Sequence, residues 1–227
     1  MDQSGGPRDV VDADNMSAPA VVVAHGLWLP GGETWLLRRR LAQQGFEPHL
    51  FRYQTVAEGL EHNAAQLDKF AARLDNPVVH LVGYSLGGVI SVLMLRRTKN
   101  PRIGRLVCMG SPLSGSAAAR MLEGLPGGKR LMGRSIVELN KRAGVGRWEG
   151  DIEIGVVAGS LAFGGGRLMG ALGAASDGTV AIAETKMDGI KAHIVRHVSH
   201  TSMMFSALVA DDVGRFLNTG SFDAKAE

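Results

Sequence analysis

Residues Ala20-Val21-Val22-Val23-Ala24 form an unbroken apolar run with none of the polar alternation of a strand that turns one face to water. This is the pattern of a strand buried on both faces of a parallel sheet. Parallel neighbours need crossover segments, and the rest of the chain supplies them. Trp35 to Gln44 reads as a helix, Phe46 to Tyr53 as a second strand, and Val56 to Leu74 as a second helix with Leu60, Ala64, Leu67, Ala71 and Leu74 at helical spacing. Val78 to Val82 is a strand, Leu86 to Arg97 a strongly apolar helix, and Arg102 to Met109 a further strand. Asp151 to Ala158 and Gly189 to Val198 complete the strands, and Thr201 to Leu217 makes the last helix. About six strands alternating with helices imply right-handed crossovers and a three-layer α/β fold around a mostly parallel sheet.

Composition narrows the function. A chain of 227 residues fits one α/β domain with an insertion better than two domains. With 45% hydrophobic and 21% charged residues, global disorder is excluded. No run approaches a membrane span and no secretory signal is visible at the start, so a soluble, cytoplasmic protein with at most peripheral membrane contact is expected. The lone Cys108 excludes an intramolecular disulfide framework and leaves no cysteine pair for zinc, and no metal or organic cofactor is expected. A formal charge of +3 without a dense basic stripe gives little support to nucleic-acid binding. Met1 to Ser17 and the last few residues, 221–227, read as tails around a globular unit at 18–220. The run Gly164-Gly165-Gly166 reads as a loop, because no Lys-Ser/Thr follows it as in a phosphate cradle.

One connection is too long for the fold. Between the strand ending near Met109 and the one starting near Asp151 lies an insertion, about 113–150, where ordinary connections take roughly 2–6 residues. Its seven Lys or Arg against three Glu accompany Met121, Leu122, Leu125, Leu131, Met132, Ile136, Val137 and Leu139. Its place after a strand C-terminus predicts a small, partly helical cap with apolar side chains inward and the +4 excess outward. A pocket wall is the simpler role; contact with anionic lipid or detergent surfaces is the alternative.

The chemistry concentrates at Gly83-Tyr84-Ser85-Leu86-Gly87, a G-x-S-x-G sequence between an apolar strand and an apolar helix. The bare pattern arises by chance in a glycine-rich chain; its strand-turn-helix frame is what gives it weight. A turn sharp enough to lift a serine hydroxyl clear of the sheet leaves no room for side chains two positions either side, hence Gly83 and Gly87, with Gly88 extending the clearance. A serine needs a base and an acid to orient it. Asp177, in Ser176-Asp177-Gly178-Thr179, and His200, in Ser199-His200-Thr201, follow in the order Ser, acid, His at the strand C-terminal side of the sheet. The oxyanion of acyl transfer needs two backbone N–H donors, for which the amides of Leu86, at a helix start, and Leu27, after His25-Gly26, are the candidates. His25 then shapes that loop.

Each assignment has a plainer rival. Ser85 can be a structural turn and Asp177 a turn aspartate ahead of glycine. Glu184 and Asp211 are weaker acids for the role, and Asp151 and Asp188 start strands at the wrong end. His193 and His197 fall within the last strand, where packing or pairing is the ordinary role. Cys108 is a small core residue.

These motifs resemble the α/β-hydrolase superfamily, and within it the small lipase and esterase branch that carries His-Gly after its first core strand. The resemblance runs from Ala20 to about Leu217 and includes the D-G-T-V and S-H-T-S-M-M-F-S stretches. It implies a minimal six-stranded fold, without the first two antiparallel strands of the full one. It also implies Ser85 as nucleophile, Asp177 as triad acid, His200 as general base, and Leu27 and Leu86 as the oxyanion hole. A serine hydrolase acting on small-molecule carboxylic esters or lipids through an acyl-enzyme follows. The rivals are acyl transfer on the same triad and a non-catalytic binding protein with this fold.

Overall fold

A computed structural model describes residues 17–163 and 175–223. The loop expected at Gly164 to Gly166, and the tails apart from their inner ends, lie outside the described residues. Six strands form one all-parallel sheet in the order β2-β1-β3-β4-β5-β6, with β1 Ala20–Ala24, β2 Glu47–Phe51, β3 Val79–Tyr84, β4 Ile103–Met109, β5 Ile154–Gly159 and β6 Ala192–Arg196. The helices are α1 Trp35–Gln43, α2 Leu60–Ala72, α3 Leu86–Leu95, α4 Ala117–Glu123, α5 Gly128–Arg142 and α6 Ala207–Thr219.

The two-residue period of β1 divides the core. Val21 and Val23 pack with Leu37 and Leu41 of α1 and Val213, Phe216 and Leu217 of α6, whereas Ala20, Val22 and Ala24 pack with Leu60 and Leu67 of α2 and Val89 of α3. Truncating a fully buried leucine here, such as Leu67, costs about 2–5 kcal/mol. Pro48 lies in β2, at the sheet edge, the place where a residue without an N–H is tolerated. Between β3 and β4 the register slips at Val79/Leu81, and there the buried His80 accepts the Arg105 N–H through Nδ1 at 2.9 Å. At the opposite edge, fully buried Asp212 of α6 takes two hydrogen bonds from Arg196 at the end of β6, at 2.7 and 2.9 Å.

Several expected boundaries move, among them those of the strands expected from Asp151 and Gly189, which start at Ile154 and Ala192 and leave Asp151 and Asp188 outside them. The second helix starts at Leu60, not Val56, because residues 56–59 are held by the insertion: Arg134 N–H donates to the Val56 carbonyl at 2.9 Å, and Ser135 Oγ to that of Glu58 at 2.8 Å. The expected final helix from Thr201 is broken: a short 3-10 turn, Ser202–Phe205, precedes Ser206, whose side chain caps α6 by accepting from Val209 N–H. His197 lies one residue beyond β6 and is exposed, a correction to its expected place inside the strand; the half-exposed edge strand ends at Arg196.

The insertion contributes α4 and α5. Helix α5 is kinked at Gly133 (φ 74°, ψ 178°), where a Cβ would meet the Val56 Cα at 2.5 Å. Glu138 reaches across to accept the Leu60 N–H at 2.8 Å, satisfying a free donor at the start of α2, and Asn63 of α2 donates to Ser135 Oγ at 3.3 Å. Among the described residues no helix is long and apolar enough to cross a membrane.

Candidate active site

The strand order reverses at the β1/β3 pair. From β1 the chain crosses to α1 on one face, and from β3 to α3 on the other, so the loops after the two strands part and leave a crevice. Ser85 sits in that crevice between β3 and α3, with φ 54° and ψ −119°, a backbone conformation that side chains rarely adopt. The surrounding glycines are dictated by contact. A Cβ on Gly83 would overlap the Gly88 backbone, one on Gly87 the Ala24 carbonyl, and one on Gly88 the Ser111 side chain. The turn is pinned from the neighbouring strand by Ser85 N–H donating to the Met109 carbonyl at 2.8 Å.

Asp177 and His200 come together from separate loops. The buried Asp177 carboxylate accepts the Thr179 and Val180 amides on Oδ1 at 2.9 and 2.7 Å, leaving Oδ2 for His200 Nδ1 at 2.7 Å. The His200 N–H also donates to the Asp177 carbonyl at 2.8 Å, so backbone and side chain fix the pair together. With Nδ1 held by Asp177, Nε2 is the ring atom left for other chemistry. His200, Ser85, Leu27 and Leu86 all line one cavity of about 290 Å³.

That cavity is mostly apolar. The insertion supplies Ala118, Ala119 and Leu122 from α4 and Met132 and Ile136 from α5. Leu86 opens α3, so its amide has no helical carbonyl to bond. Gly26 passes so close to the elbow that a Cβ there would lie 3.1 Å from the Tyr84 ring and 3.3 Å from Ser85 Cβ, which brings the Leu27 segment over the serine. His25 is folded back into this loop: its Nδ1 contacts the Gly26 carbonyl at 2.9 Å, its ring stacks on Tyr53 at 4.5 Å, and burial lowers its pKa.

The rival residues are occupied elsewhere. His193 pairs with Thr185 Oγ1 at 2.8 Å, and among the described residues the side chain of His197 meets only Ser160 Oγ, at 3.5 Å. Glu184 caps its own turn by accepting the Ala181 N–H and also bonds the Ala117 amide at the start of α4, while Asp211 accepts from Gln44 on the surface. Asp151 and Asp188 precede β5 and β6. Cys108 is buried on β4, where desolvation drives its thiol pKa far up.

Two contributors escape a reading of the sequence. Tyr84 hydroxyl donates to the His200 carbonyl at 3.0 Å with the rings 4.9 Å apart, and burial, then the Asp177 charge, hold the phenol far above its usual pKa. Gly110, at φ 55° after β4, leaves space that a Cβ would take 3.1 Å from both Asp177 Oδ2 and His200 Nδ1. The signal for both was present: Tyr84 is a variable position of the elbow, and Gly110-Ser111-Pro112 follows the strand beside it.

The family model for the alpha/beta hydrolase family matches residues 21–159, and the chain belongs to that family. The match includes Ser85 and stops short of Asp177 and His200. A comparison with curated proteins gives no match. Among solved structures, the lipase BlEst2 of Bacillus licheniformis is similar at TM-score 0.66 and 16% identity, over 89% of this chain and 90% of that one. The metagenomic carboxyl esterase MGS0156 is similar at TM-score 0.66 and 17% identity, over 82% of this chain and 66% of that one. The pyrethroid hydrolase PytH follows at TM-score 0.60 and 13% identity, over 89% and 98%. At these identities the likeness speaks to the fold.

Proposed function

We propose that this hydrolase cleaves carboxylic esters through an acyl-enzyme, with Ser85 as nucleophile, His200 as general base and Asp177 as the acid that orients it. The observation that carries this reading is the Asp177–His200 contact at 2.7 Å, with His200 lining the same cavity as the strained Ser85 turn. In this scheme Ser85 Oγ attacks the ester carbonyl carbon while His200 Nε2 takes its proton. The amides of Leu27 and Leu86 receive the oxyanion, and His200 returns the proton to the departing alcohol. A water then attacks the acyl-serine by the same proton path and releases the carboxylic acid. Asp177 holds the imidazole tautomer throughout and stabilises the imidazolium. In this reading residues 113–150 act as a cap, and their apolar side chains receive the acyl chain.

The test is labelling by a serine-directed fluorophosphonate together with hydrolysis of p-nitrophenyl esters. Wild type is expected to label and turn over. Ser85→Ala is expected to do neither, with a loss on the order of 10⁴-fold or more. His200→Ala should lose most activity, and His197→Ala should keep it. Labelling of Ser85→Ala, or loss of activity confined to folded His197→Ala, would overturn the assignment. Product analysis with water or an added alcohol as acceptor separates hydrolysis from acyl transfer.

A further inference from the structure

Helix α5 has two working sides. Met132 and Ile136 face the catalytic cavity, whereas Lys129, Arg130, Arg134 and Lys141 line an open groove beside Val56. Among the described residues, Arg130, Arg134 and Lys141 have no carboxylate within ion-pair distance, and Lys129 meets Glu123 only at 4.0 Å. The acid in the groove itself, Glu138, is engaged by the Leu60 amide.

Apolar side chains point outward among these cations. Leu131 follows Arg130 and is 58% exposed, and Leu125, in the turn leading into α5, is 51% exposed. The Trp28 indole N–H donates to the Leu131 carbonyl at 2.9 Å, so Trp28, itself 51% exposed, lies against the same turn. Trp28 also lines the catalytic cavity, which makes the patch continuous with the cavity mouth. Water solvates the cations well and the leucines poorly. A nucleic-acid backbone offers phosphates with no apolar layer beneath. An anionic bilayer offers both at the right depths: headgroup phosphates for Lys and Arg, and an acyl boundary a few ångströms below for Trp and Leu.

We propose that this face is a docking surface for anionic lipid bilayers. Leu125, Leu131 and Trp28 enter the headgroup-acyl boundary, while Lys129, Arg130 and Arg134 meet the phosphates. Docking brings the cavity mouth to the lipid; that consequence rests on the ester-hydrolase reading, whereas docking itself does not.

The experiment is co-sedimentation of the full chain with vesicles of phosphatidylcholine alone and of phosphatidylcholine mixed with phosphatidylglycerol. Binding is expected only to the mixed vesicles and should weaken as salt is raised. At roughly fivefold per cation, the combined Lys129→Gln, Arg130→Gln and Arg134→Gln variant should bind on the order of 100-fold more weakly. Leu131→Ser should lose roughly tenfold with all cations in place. No binding, equal binding to both vesicles, or an unaltered charge variant would overturn the proposal. So would unchanged binding by Leu131→Ser, which would mark a surface for any polyanion. The assay reads binding without turnover, so a failure of ester hydrolysis would leave its result intact.

Discussion

Replacing Ser85 by glycine should remove the chemistry and make the protein more stable than the alanine variant. At φ 54° and ψ −119° Ser85 occupies a conformation in which a Cβ crowds the backbone, and such residues store on the order of 1–3 kcal/mol. Ser85→Ala keeps the Cβ and therefore the strain. Ser85→Gly removes it and gives back roughly 0.5–1 kcal/mol through the greater freedom of the unfolded chain. The net gain of glycine over alanine is about 1 kcal/mol, or about 2–4 °C in Tm for a chain of this size. Paired thermal and urea melts of the two variants measure it, with fluorophosphonate labelling to confirm that both are inert. The alanine variant is the proper reference because both changes delete the same hydroxyl. If the glycine variant melts at or below the alanine variant, the elbow is not strained and its dihedral angles are no sign of a site held against its preference.

Two further outcomes follow from the cavity and from the sheet. Leu122→Ala enlarges the cavity on the side proposed to receive the acyl chain, so kcat/KM along a p-nitrophenyl ester series should move toward longer chains by one or two methylenes, at roughly fourfold per methylene; an unmoved profile would place the acyl chain elsewhere. Burial, with Arg105 adding to it, lowers the His80 pKa from 6.5 to about 4, so the unfolded chain binds the proton more tightly. Its stabilising effect is complete above pH 6.5 and is lost as the pH falls toward 4, amounting to about 2 kcal/mol between pH 7 and pH 5. Denaturant melts of wild type and His80→Gln should diverge in their pH dependence across that window, and parallel curves would refute the assignment.

What was legible in the sequence is what local chemistry decides. The inner strands β1, β3 and β5 announce themselves as apolar runs because both faces are covered, and the elbow announces itself because its glycines are steric necessities. Asp177 and His200 are singled out by their order after Ser85 and their place on the strand C-terminal side of the sheet, although nothing in the chain between them says that they meet at 2.7 Å. The start of α2 lies later than its periodicity implies, because helical periodicity is a local signal, while residues 56–59 are held by hydrogen bonds from α5, about eighty residues away in the chain. The break before α6 is masked in the sequence although Ser206 is an ordinary N-cap residue, because the apolar Met203 and Met204 continue the pattern across it. The contact between Trp28 and Leu131 has no sequence signal, since it joins the loop after β1 to the first turn of α5 through a backbone carbonyl.

The way α5 is tied to α2 limits what can be cut from this chain. An insertion in a hydrolase invites deletion, to leave a minimal catalyst with an open cavity. Here, excising 113–150 would strand the Leu60 amide that Glu138 now receives, leave the Asn63 amide with the Gln54 carbonyl alone, and unroof the apolar side of α2 that packs in one core with Ile136 and Leu139. The shortened chain would have to rebuild the entrance to α2 before it could fold around the same sheet. Swapping this segment with that of another hydrolase therefore means transplanting residues 56–63 along with it, as one unit of inheritance.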